Sequence, residues 1–208
     1  MGWHSGCTSI GIADMAKRKR GTNMQRIAAV DPAVAEGKAK QLLDGVKAKI
    51  GMTPNLMKTL ATAPAALEAY LNFGAALGTG NLDAKFREQI ALAVARANSC
   101  EYCLSAHSAI GKMAGLKPEE IATSREAHSA DAKRDAGLQF VQALVMQRGM
   151  VSDQAVAYVK AAGFSDGDIA EIVANVAVNI FTNYFNHVAR TDVDFPRVAV
   201  AMETTSVG

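Results

Sequence analysis

The amino-acid sequence predicts an all-α protein. Half of the 208 residues are hydrophobic while only 6% are aromatic, so small and aliphatic side chains dominate, which suits helices that pack closely together. Apolar residues recur at intervals of three and four along most of the chain, and no segment shows the alternation expected of a β-strand. A chain of this length fits one domain with a sizeable apolar core.

The first 23 residues are predicted to lie apart from the folded domain. They show no apolar period, and they contain the basic run Lys17–Arg20 against Asp14 as the single acidic residue. We interpret residues 1–23 as a disordered tail or a start-site artefact, and residues 24–208 as a single helical domain.

The first three predicted helices are bounded by proline and glycine. Asp31 and Pro32 predict the start of the first helix, and Gly51 predicts its end. A turn at 53–55 separates this helix from a short second one, and Pro64 opens the third. Each carries an apolar face and is expected to pack on the core through it.

A break at Asn98–Ser99 separates two longer helices. Asp83 is the predicted N-cap of the first, which carries apolar residues along one face. Because Asn and Ser favour caps over helix interiors, a new helix should begin near Cys100, and it should end at Gly115. The sequence permits the two helices to lie antiparallel around this turn.

The C-terminal part of the chain predicts four further helices. Pro118 opens the first, and the second ends at Gly149. The third covers about residues 153–163. Ser165, with Asp168 three residues on, forms a near capping box for the last and longest, which keeps its apolar period for about five turns.

Four residues in the central part of the chain carry a chemical pattern. Glu88, Cys100, Cys103 and His107 are spaced as E-x11-C-x2-C-x3-H, so one turn of helix separates Cys100 from Cys103 and another separates Cys103 from His107. A thiol near a helix N-terminus and beside an imidazole favours its thiolate form, which is the nucleophile. Glu88, on the preceding helix, could hold His107 in the useful tautomer or relay a proton.

Charge and hydropathy argue against several functional classes. The formal net charge is +2, and the basic cluster has no interleaved aromatic residues, so we expect no nucleic-acid partner. No segment approaches the roughly 20 apolar residues of a membrane helix, and the N-terminus lacks the apolar region of a secretory signal, which predicts a cytoplasmic protein without a membrane partner. Because the cytoplasm keeps thiols reduced, a close cysteine pair there is more often catalytic or metal-binding than structural.

The cysteine–histidine motif resembles the active-site motif of the AhpD-like alkylhydroperoxidases, in the carboxymuconolactone decarboxylase superfamily. Two flanking segments, Asn-Leu-Met-x-x-Leu-Ala-x-x-Pro at 55–64 and the stretch at 183–196, are similar to the peroxidase-related branch of that superfamily. The resemblance covers roughly residues 25–200. It implies an all-α AhpD-like helical bundle, a homo-oligomer of three or six copies, and peroxidase activity that needs no cofactor and no metal.

The same resemblance implies a role for each residue of the motif. Cys103 would be the peroxidatic thiol, Cys100 the resolving thiol, and His107 with Glu88 the proton relay. The substrate would be an alkyl hydroperoxide, and an external dithiol would reduce the resulting disulfide. The best-studied members have a second histidine between the cysteines, where this chain has Tyr102. A phenol of unperturbed pKa about 10 is no base at neutral pH, so the relay would run through His107 and Glu88 alone.

Other interpretations of these residues stay open. The two cysteines could be small buried hydrophobic residues. A non-enzymatic zinc-binding or redox-sensing protein would use Cys100, Cys103 and His107, with Glu88 or His187 as a fourth metal ligand. A cofactor-free decarboxylase or isomerase of the same superfamily is a further alternative, although those enzymes lack the cysteine pair.

A row of polar residues on the last helix has no chemical role that the sequence indicates. Asn179, Asn183, Asn186 and His187 recur at helical spacing among apolar residues. They could line a site or satisfy a subunit interface, and we favour the interface, because polar residues at this spacing are commonly hydrogen-bonded partners in packing. His128, which has no motif around it, is predicted to face solvent.

Overall fold

The computed structural model describes residues 25–200, and within that range the chain forms nine helices and no strand, which confirms the all-α prediction. The predicted tail at 1–23 lies outside the described residues. No helix of the described part has the length and apolar character of a membrane span. The helices are α1 (Gly37–Ile50), α2 (Asn55–Leu60), α3 (Pro64–Leu77), α4 (Ala84–Ala97), α5 (Glu101–Met113), α6 (Pro118–Arg125), α7 (Ala132–Met146), α8 (Asp153–Ala161) and α9 (Asp166–Ala189).

The predicted caps of the two helices that carry the core are confirmed. The Asp83 side chain accepts a hydrogen bond from the backbone N–H of Phe86 at the start of α4. Ser165 and Asp168 form a reciprocal capping box at the start of α9. These side chains satisfy N–H groups that a helix N-terminus leaves unpaired, and so fix where both helices begin.

The first helix starts later than the sequence predicted. Asp31 and Pro32 make a single turn. The Asp31 carboxylate accepts a hydrogen bond from the N–H of Ala33, and the backbone carbonyl of Asp31 accepts one from the N–H of Ala35. Gly37 then has a φ of +55°. A right-handed helix cannot pass through this left-handed conformation, so the turn at Asp31 stays separate and α1 begins only at Gly37.

Helix α4 lies at the centre of the fold. It packs against α5, α6, α7 and α9, and every residue from Gln89 to Ala95 is buried. Seven consecutive buried residues cover every face of a helix, as expected of a helix in a core. The consequence for function is that Glu88, a charged residue on this helix, lies largely out of solvent.

Two apolar clusters lie on either side of α4. The first joins α4, α7, α8 and α9 through residues such as Leu138, Val141 and Phe164. The second contains Cys100 and Cys103 themselves, together with leucines of α2 and α3. The two cysteines are therefore enclosed by the core rather than presented on the surface.

Tyr102 joins α5 to α2 and to the C-terminal segment. Its hydroxyl accepts a hydrogen bond from the N–H of Leu56 at 3.1 Å and donates one to Asp194 Oδ1 at 2.9 Å, and its ring meets Phe195 edge-on with centroids 5.9 Å apart. The second Asp194 oxygen accepts from the N–H of Asn55 at 2.7 Å. Burial raises the pKa of Tyr102, so the phenol acts here as a neutral hydrogen-bonding group.

The Tyr102→Phe variant is expected to lower the free energy of unfolding by about 1–3 kcal/mol, because a buried N–H and a carboxylate both lose their partner. Urea denaturation followed by circular dichroism measures the change. An unchanged denaturation midpoint would show that these two hydrogen bonds add nothing to stability. A variant of nearly native stability that has lost its activity would instead give the phenol a chemical role.

Candidate active site

Helices α4, α5 and α9 meet at the cysteine pair. Helices α4 and α5 run antiparallel around Asn98–Ser99, where Ser99 has a φ of +54°, a left-handed conformation that is uncommon for a residue with a side chain. After this turn the N–H of Cys100 donates to the carbonyl of Ala95 at 2.8 Å. Cys100 is the N-cap of α5 and Cys103 lies in its first turn, which confirms the prediction that a helix begins near Cys100.

Both cysteines are free and 2% exposed. The Nδ2 of Asn186 donates a hydrogen bond to Cys103 Sγ at 3.3 Å, and the hydroxyl oxygen of Thr182 lies 4.0 Å from the same sulfur. Both side chains come from α9. Cys103 is thus held between its own helix and polar groups that can stabilise a negative sulfur.

The two thiols have opposite pKa shifts. A hydrogen bond from the Cys100 thiol lowers the pKa of Cys103 most strongly; burial opposes this, and the charge of His107, the hydrogen bond from Asn186 and the contact with Thr182 lower it further. The same contact with Cys103, together with burial, raises the pKa of Cys100. Cys103 is therefore the sulfur that carries a thiolate, and Cys100 is the protonated partner that stabilises it.

His107 and Glu88 form a largely enclosed pair. The Nδ1 of His107 lies 2.8 Å from Glu88 Oε2, and each side chain is 18% exposed. Burial lowers the pKa of His107, but the charge and hydrogen bond of Glu88, joined by the charge of Cys103, outweigh it, so that the pKa is raised. With Nδ1 bound to the carboxylate, Nε2 is the nitrogen left to exchange a proton with a bound molecule.

The structure thus brings all four residues of the motif into one site. It also adds Asn186 and Thr182, which the sequence interpretation did not assign to it. Asn186 had been placed at a subunit interface, yet it is buried and contacts Cys103. The signal that could have found it is the polar period itself, because buried polar side chains on an apolar helix need partners inside the fold.

Two further asparagines of α9 also point inward, whereas His187 is exposed. Asn179 and Asn183 are buried, and Asn183 Oδ1 accepts from Asn98 Nδ2 at 3.0 Å. Nε2 of His187 lies 2.9 Å from the carbonyl oxygen of Asn98. These contacts join α9 to the turn that positions Cys100, so the prediction of a subunit interface is wrong for the asparagines, whose partners lie within the chain.

The residues considered as metal ligands are engaged in other contacts. Glu88 bonds His107, and His187 bonds the carbonyl of Asn98. Within residues 25–200 no three His, Cys, Asp or Glu side chains are grouped so as to hold a metal ion. His128, predicted to face solvent, is 61% exposed and bonds Asp135.

Two cavities flank the site. The larger, of about 290 Å³, lies beside Cys100 and is lined also by Asn186, Arg190 and Thr191; we call it the Cys100 cavity. The smaller, of about 150 Å³, is lined by Glu88 and His107 together with residues of α3 and α9; we call it the His107 cavity. Cys100 therefore borders one open space and the His107–Glu88 pair borders the other.

Comparison with known proteins begins with the sequence. The model of the carboxymuconolactone decarboxylase family matches residues 64–144, a segment that holds the whole cysteine–histidine motif. An uncharacterized protein of Haemophilus influenzae is 59% identical over 46 residues, which is 22% of this chain. The match covers 41% of the length of that relative.

Solved structures share the fold over most of the chain. An alkylhydroperoxidase AhpD core, a peroxidase-related protein from Ralstonia eutropha, is 26% identical with a TM-score of 0.73, and 82% of this chain aligns with 92% of that one. A peroxidase-related protein from Silicibacter is 24% identical with a TM-score of 0.72, over 86% of this chain and 94% of that one. The debrominase Bmp8, in complex with 2,3,4-tribromopyrrole, is 16% identical with a TM-score of 0.70, over 82% of this chain and 92% of that one. The family model covers less than half of this chain, and these solved structures share its helical fold. The chain is therefore similar to the AhpD/carboxymuconolactone decarboxylase superfamily in its fold and in the segment that holds the cysteine–histidine motif.

Proposed function

We propose that the protein is a thiol-dependent peroxidase that reduces alkyl hydroperoxides through Cys103 and Cys100. The observation that carries this proposal is the state of Cys103, a thiol whose pKa is lowered by a neighbouring thiol and a nearby histidine. The likeness to a solved alkylhydroperoxidase AhpD core supports it. A thiolate beside a second thiol and a proton donor is the set of groups that two-step peroxide reduction needs.

In the first step the Cys103 thiolate attacks the terminal oxygen of the hydroperoxide. A sulfur–oxygen bond forms, the O–O bond breaks, and the sulfur becomes a sulfenic acid. The departing alkoxide takes a proton from His107 and leaves as the alcohol. Glu88, 2.8 Å from His107, stabilises the protonated imidazole before this transfer and lets it regain a proton afterwards.

In the second step Cys100 attacks the sulfenic sulfur of Cys103. A disulfide forms, and water leaves with the proton of the Cys100 thiol. An external dithiol then reduces this disulfide by exchange and is itself oxidised to a disulfide, so that one hydroperoxide and one dithiol give one alcohol, one water and one oxidised dithiol. No prosthetic group takes part in this cycle.

The proposal includes a cytoplasmic setting, where dithiol reductants are available, and assembly into a homo-oligomer. Helix α9 supports the second point, because its outer face exposes large apolar side chains at helical spacing, including Val173, Phe181, Tyr184 and Val188. A stripe of this kind on a single subunit is typical of an interaction surface.

Hydroperoxide consumption is expected to be fastest between two limits of pH. Because its pKa is lowered, Cys103 is a thiolate at pH 7, where an ordinary cysteine with a pKa of about 8.5 is mostly protonated. Activity is therefore lost only as the pH falls through the lowered pKa of Cys103. The raised pKa of His107 keeps the acid protonated as the pH rises, until its own pKa is passed. Turnover of tert-butyl hydroperoxide with dithiothreitol, measured from pH 4 to pH 10, checks this profile. Absence of any turnover above heat-inactivated protein contradicts the proposed function.

A debrominase with the same fold supplies a second candidate reaction. Bmp8 has been solved with a brominated pyrrole, and a thiol pair is also a chemically sensible site for reductive removal of a halogen. Assays with 2,3,4-tribromopyrrole in place of the hydroperoxide separate the two reactions. Bromide release that exceeds hydroperoxide turnover would assign the site to that reaction.

A further inference from the structure

The two cavities lie to either side of Cys103 along α9, and Cys103 itself lines neither of them. Asn179 lines the His107 cavity and Asn186 lines the Cys100 cavity. Thr182, between them in sequence, lies at the sulfur of Cys103. At about 1.5 Å of rise per residue, the two asparagines stand about 10 Å apart along the helix, so the sulfur lies between the cavities.

Helix α5 gives the same order independently. Cys100 lines the first cavity, His107 lines the second, and Cys103 lies between them. The resolving thiol of Cys100 therefore borders one cavity. His107, the acid that protonates the leaving alkoxide, borders the other. The reaction needs the peroxide beside the acid and the reductant beside the resolving thiol.

The linings of the two cavities differ in chemistry. Charged side chains from α5, α9 and the following segment surround the Cys100 cavity, namely Glu101, Arg190, Asp192 and Arg197. The His107 cavity is also lined by Arg87 and Glu88, but it has in addition an apolar wall formed by Leu77, Ala91 and Val178. An alkyl group gains from contact with such a wall, whereas a charged rim favours a polar molecule.

We propose that the His107 cavity is the binding site for a compact alkyl hydroperoxide, with the alkyl group on the apolar wall and the peroxide oxygens between the Tyr70 hydroxyl and His107. This inference rests on the proposed function. The reductant then reaches the thiol pair through the Cys100 cavity, on the other side of Cys103.

Tyr70 is the positioning residue of this arrangement. It lies on α3 in the lining of the His107 cavity, with its ring 6.4 Å from that of Phe181. Burial raises the pKa of Tyr70 to about 12, helped by the negative charges of Cys103 and Glu88. The phenol therefore stays protonated and remains a hydrogen-bond donor. It can donate to a peroxide oxygen as negative charge develops there.

The size of the cavity limits the substrate. Its volume of about 150 Å³ is about half that of the Cys100 cavity, at about 290 Å³. This space suits the peroxide group with an alkyl part of about four carbons, the size of tert-butyl hydroperoxide. Hydrogen peroxide has no alkyl group to contact the apolar wall, and a long-chain hydroperoxide is larger than the His107 cavity.

Gly74, at the edge of the cavity on α3, permits a direct test. A Cβ added at Gly74 meets nothing within 4 Å, and replacing a glycine within a helix favours folding, so Gly74→Leu narrows the cavity without disturbing the core. Gly45→Leu is the matched control, because Gly45 is also an exposed helical glycine with nothing within 4 Å, and it lies on α1 outside both cavities.

Two rates are measured by quenching and mass spectrometry: formation of the disulfide by tert-butyl hydroperoxide, and its reduction by dithiothreitol. Gly74→Leu should slow oxidation by about tenfold or more, as expected for blocking an apolar pocket, and should leave reduction unchanged. Tyr70→Phe should likewise lower kcat/KM for oxidation by the hydroperoxide and leave reduction by dithiothreitol unchanged. In the wild type, tert-butyl hydroperoxide should react faster than hydrogen peroxide and faster than a long-chain hydroperoxide.

Equal oxidation rates for Gly74→Leu and Gly45→Leu would overturn the site assignment, as would a loss confined to the reduction step. A wild-type preference for the long-chain hydroperoxide would overturn the assigned substrate size. Failure of the wild-type protein to react with any hydroperoxide is a separate result, which removes the proposed function itself.

Discussion

Replacing Cys103 with serine is expected to abolish hydroperoxide reduction. Serine keeps the shape of the side chain but cannot form a nucleophilic anion near neutral pH, whereas the pKa of Cys103 is lowered by Cys100 and by His107. Removing a nucleophile of this kind costs a factor of about 10⁶ in kcat where the groups act together, so the residual rate should match the uncatalysed reaction. Steady-state consumption of tert-butyl hydroperoxide measures it.

The Cys100→Ser variant distinguishes the roles of the two thiols. It should still form a sulfenic acid at Cys103, which a carbon nucleophile traps and mass spectrometry locates, but no disulfide should follow. The hydrogen bond from the Cys100 thiol is the largest cause of the lowered pKa of Cys103, so trapping should also need a higher pH. A sulfenic acid that forms in Cys103→Ser and not in Cys100→Ser would reverse the assignment. Cys7→Ser, which changes the remaining cysteine of the chain, is the control.

Replacing His107 with glutamine is expected to lower turnover by about 10²- to 10⁴-fold, the usual contribution of a positioned acid or base. Tyr102, which lies between the two cysteines, hydrogen-bonds Leu56 and Asp194. It is therefore not placed to substitute for the lost imidazole. Glu88→Gln should lose less, because its carboxylate orients and charges His107 without contacting the substrate.

A pH series supplies the control for the histidine variant. Loss of the positive charge of His107 should raise the pKa of Cys103, so raising the pH should restore part of the rate. His128→Gln, at an exposed histidine bonded to Asp135, should behave as the wild type. Turnover of His107→Gln at the wild-type rate across neutral pH would remove both the relay and this description of the site.

The order of helices and the motif residues could be predicted because their signals are local. Asp83, Ser165 and Asp168 act on N–H groups within three residues, so their cap positions are readable from sequence. The spacing of Cys103 and His107 places both on one helix face whatever the rest of the fold does. The late start of α1 was missed because nothing in the sequence shows that Gly37 takes a left-handed conformation.

The remaining features of the site depend on contacts between distant segments. Asn186 and Thr182 reach Cys103 across about 80 residues of sequence, and only the packing of α9 on α5 brings them there. The structural role of Tyr102 likewise depends on Asp194, 92 residues away. Tyr70 comes from α3, which carries no part of the motif. One sequence without a fold gives no means of choosing among such distant partners.

Intact mass before and after one equivalent of tert-butyl hydroperoxide tests the central claim most directly. The reduced protein is expected to lose two hydrogens, and peptide mapping should place the new disulfide between Cys100 and Cys103. Dithiothreitol should restore the original mass, with one alcohol formed per protein chain. Two free thiols that survive the hydroperoxide unchanged, or oxidation that stops at a sulfinic acid on Cys103 without joining Cys100, would contradict the account.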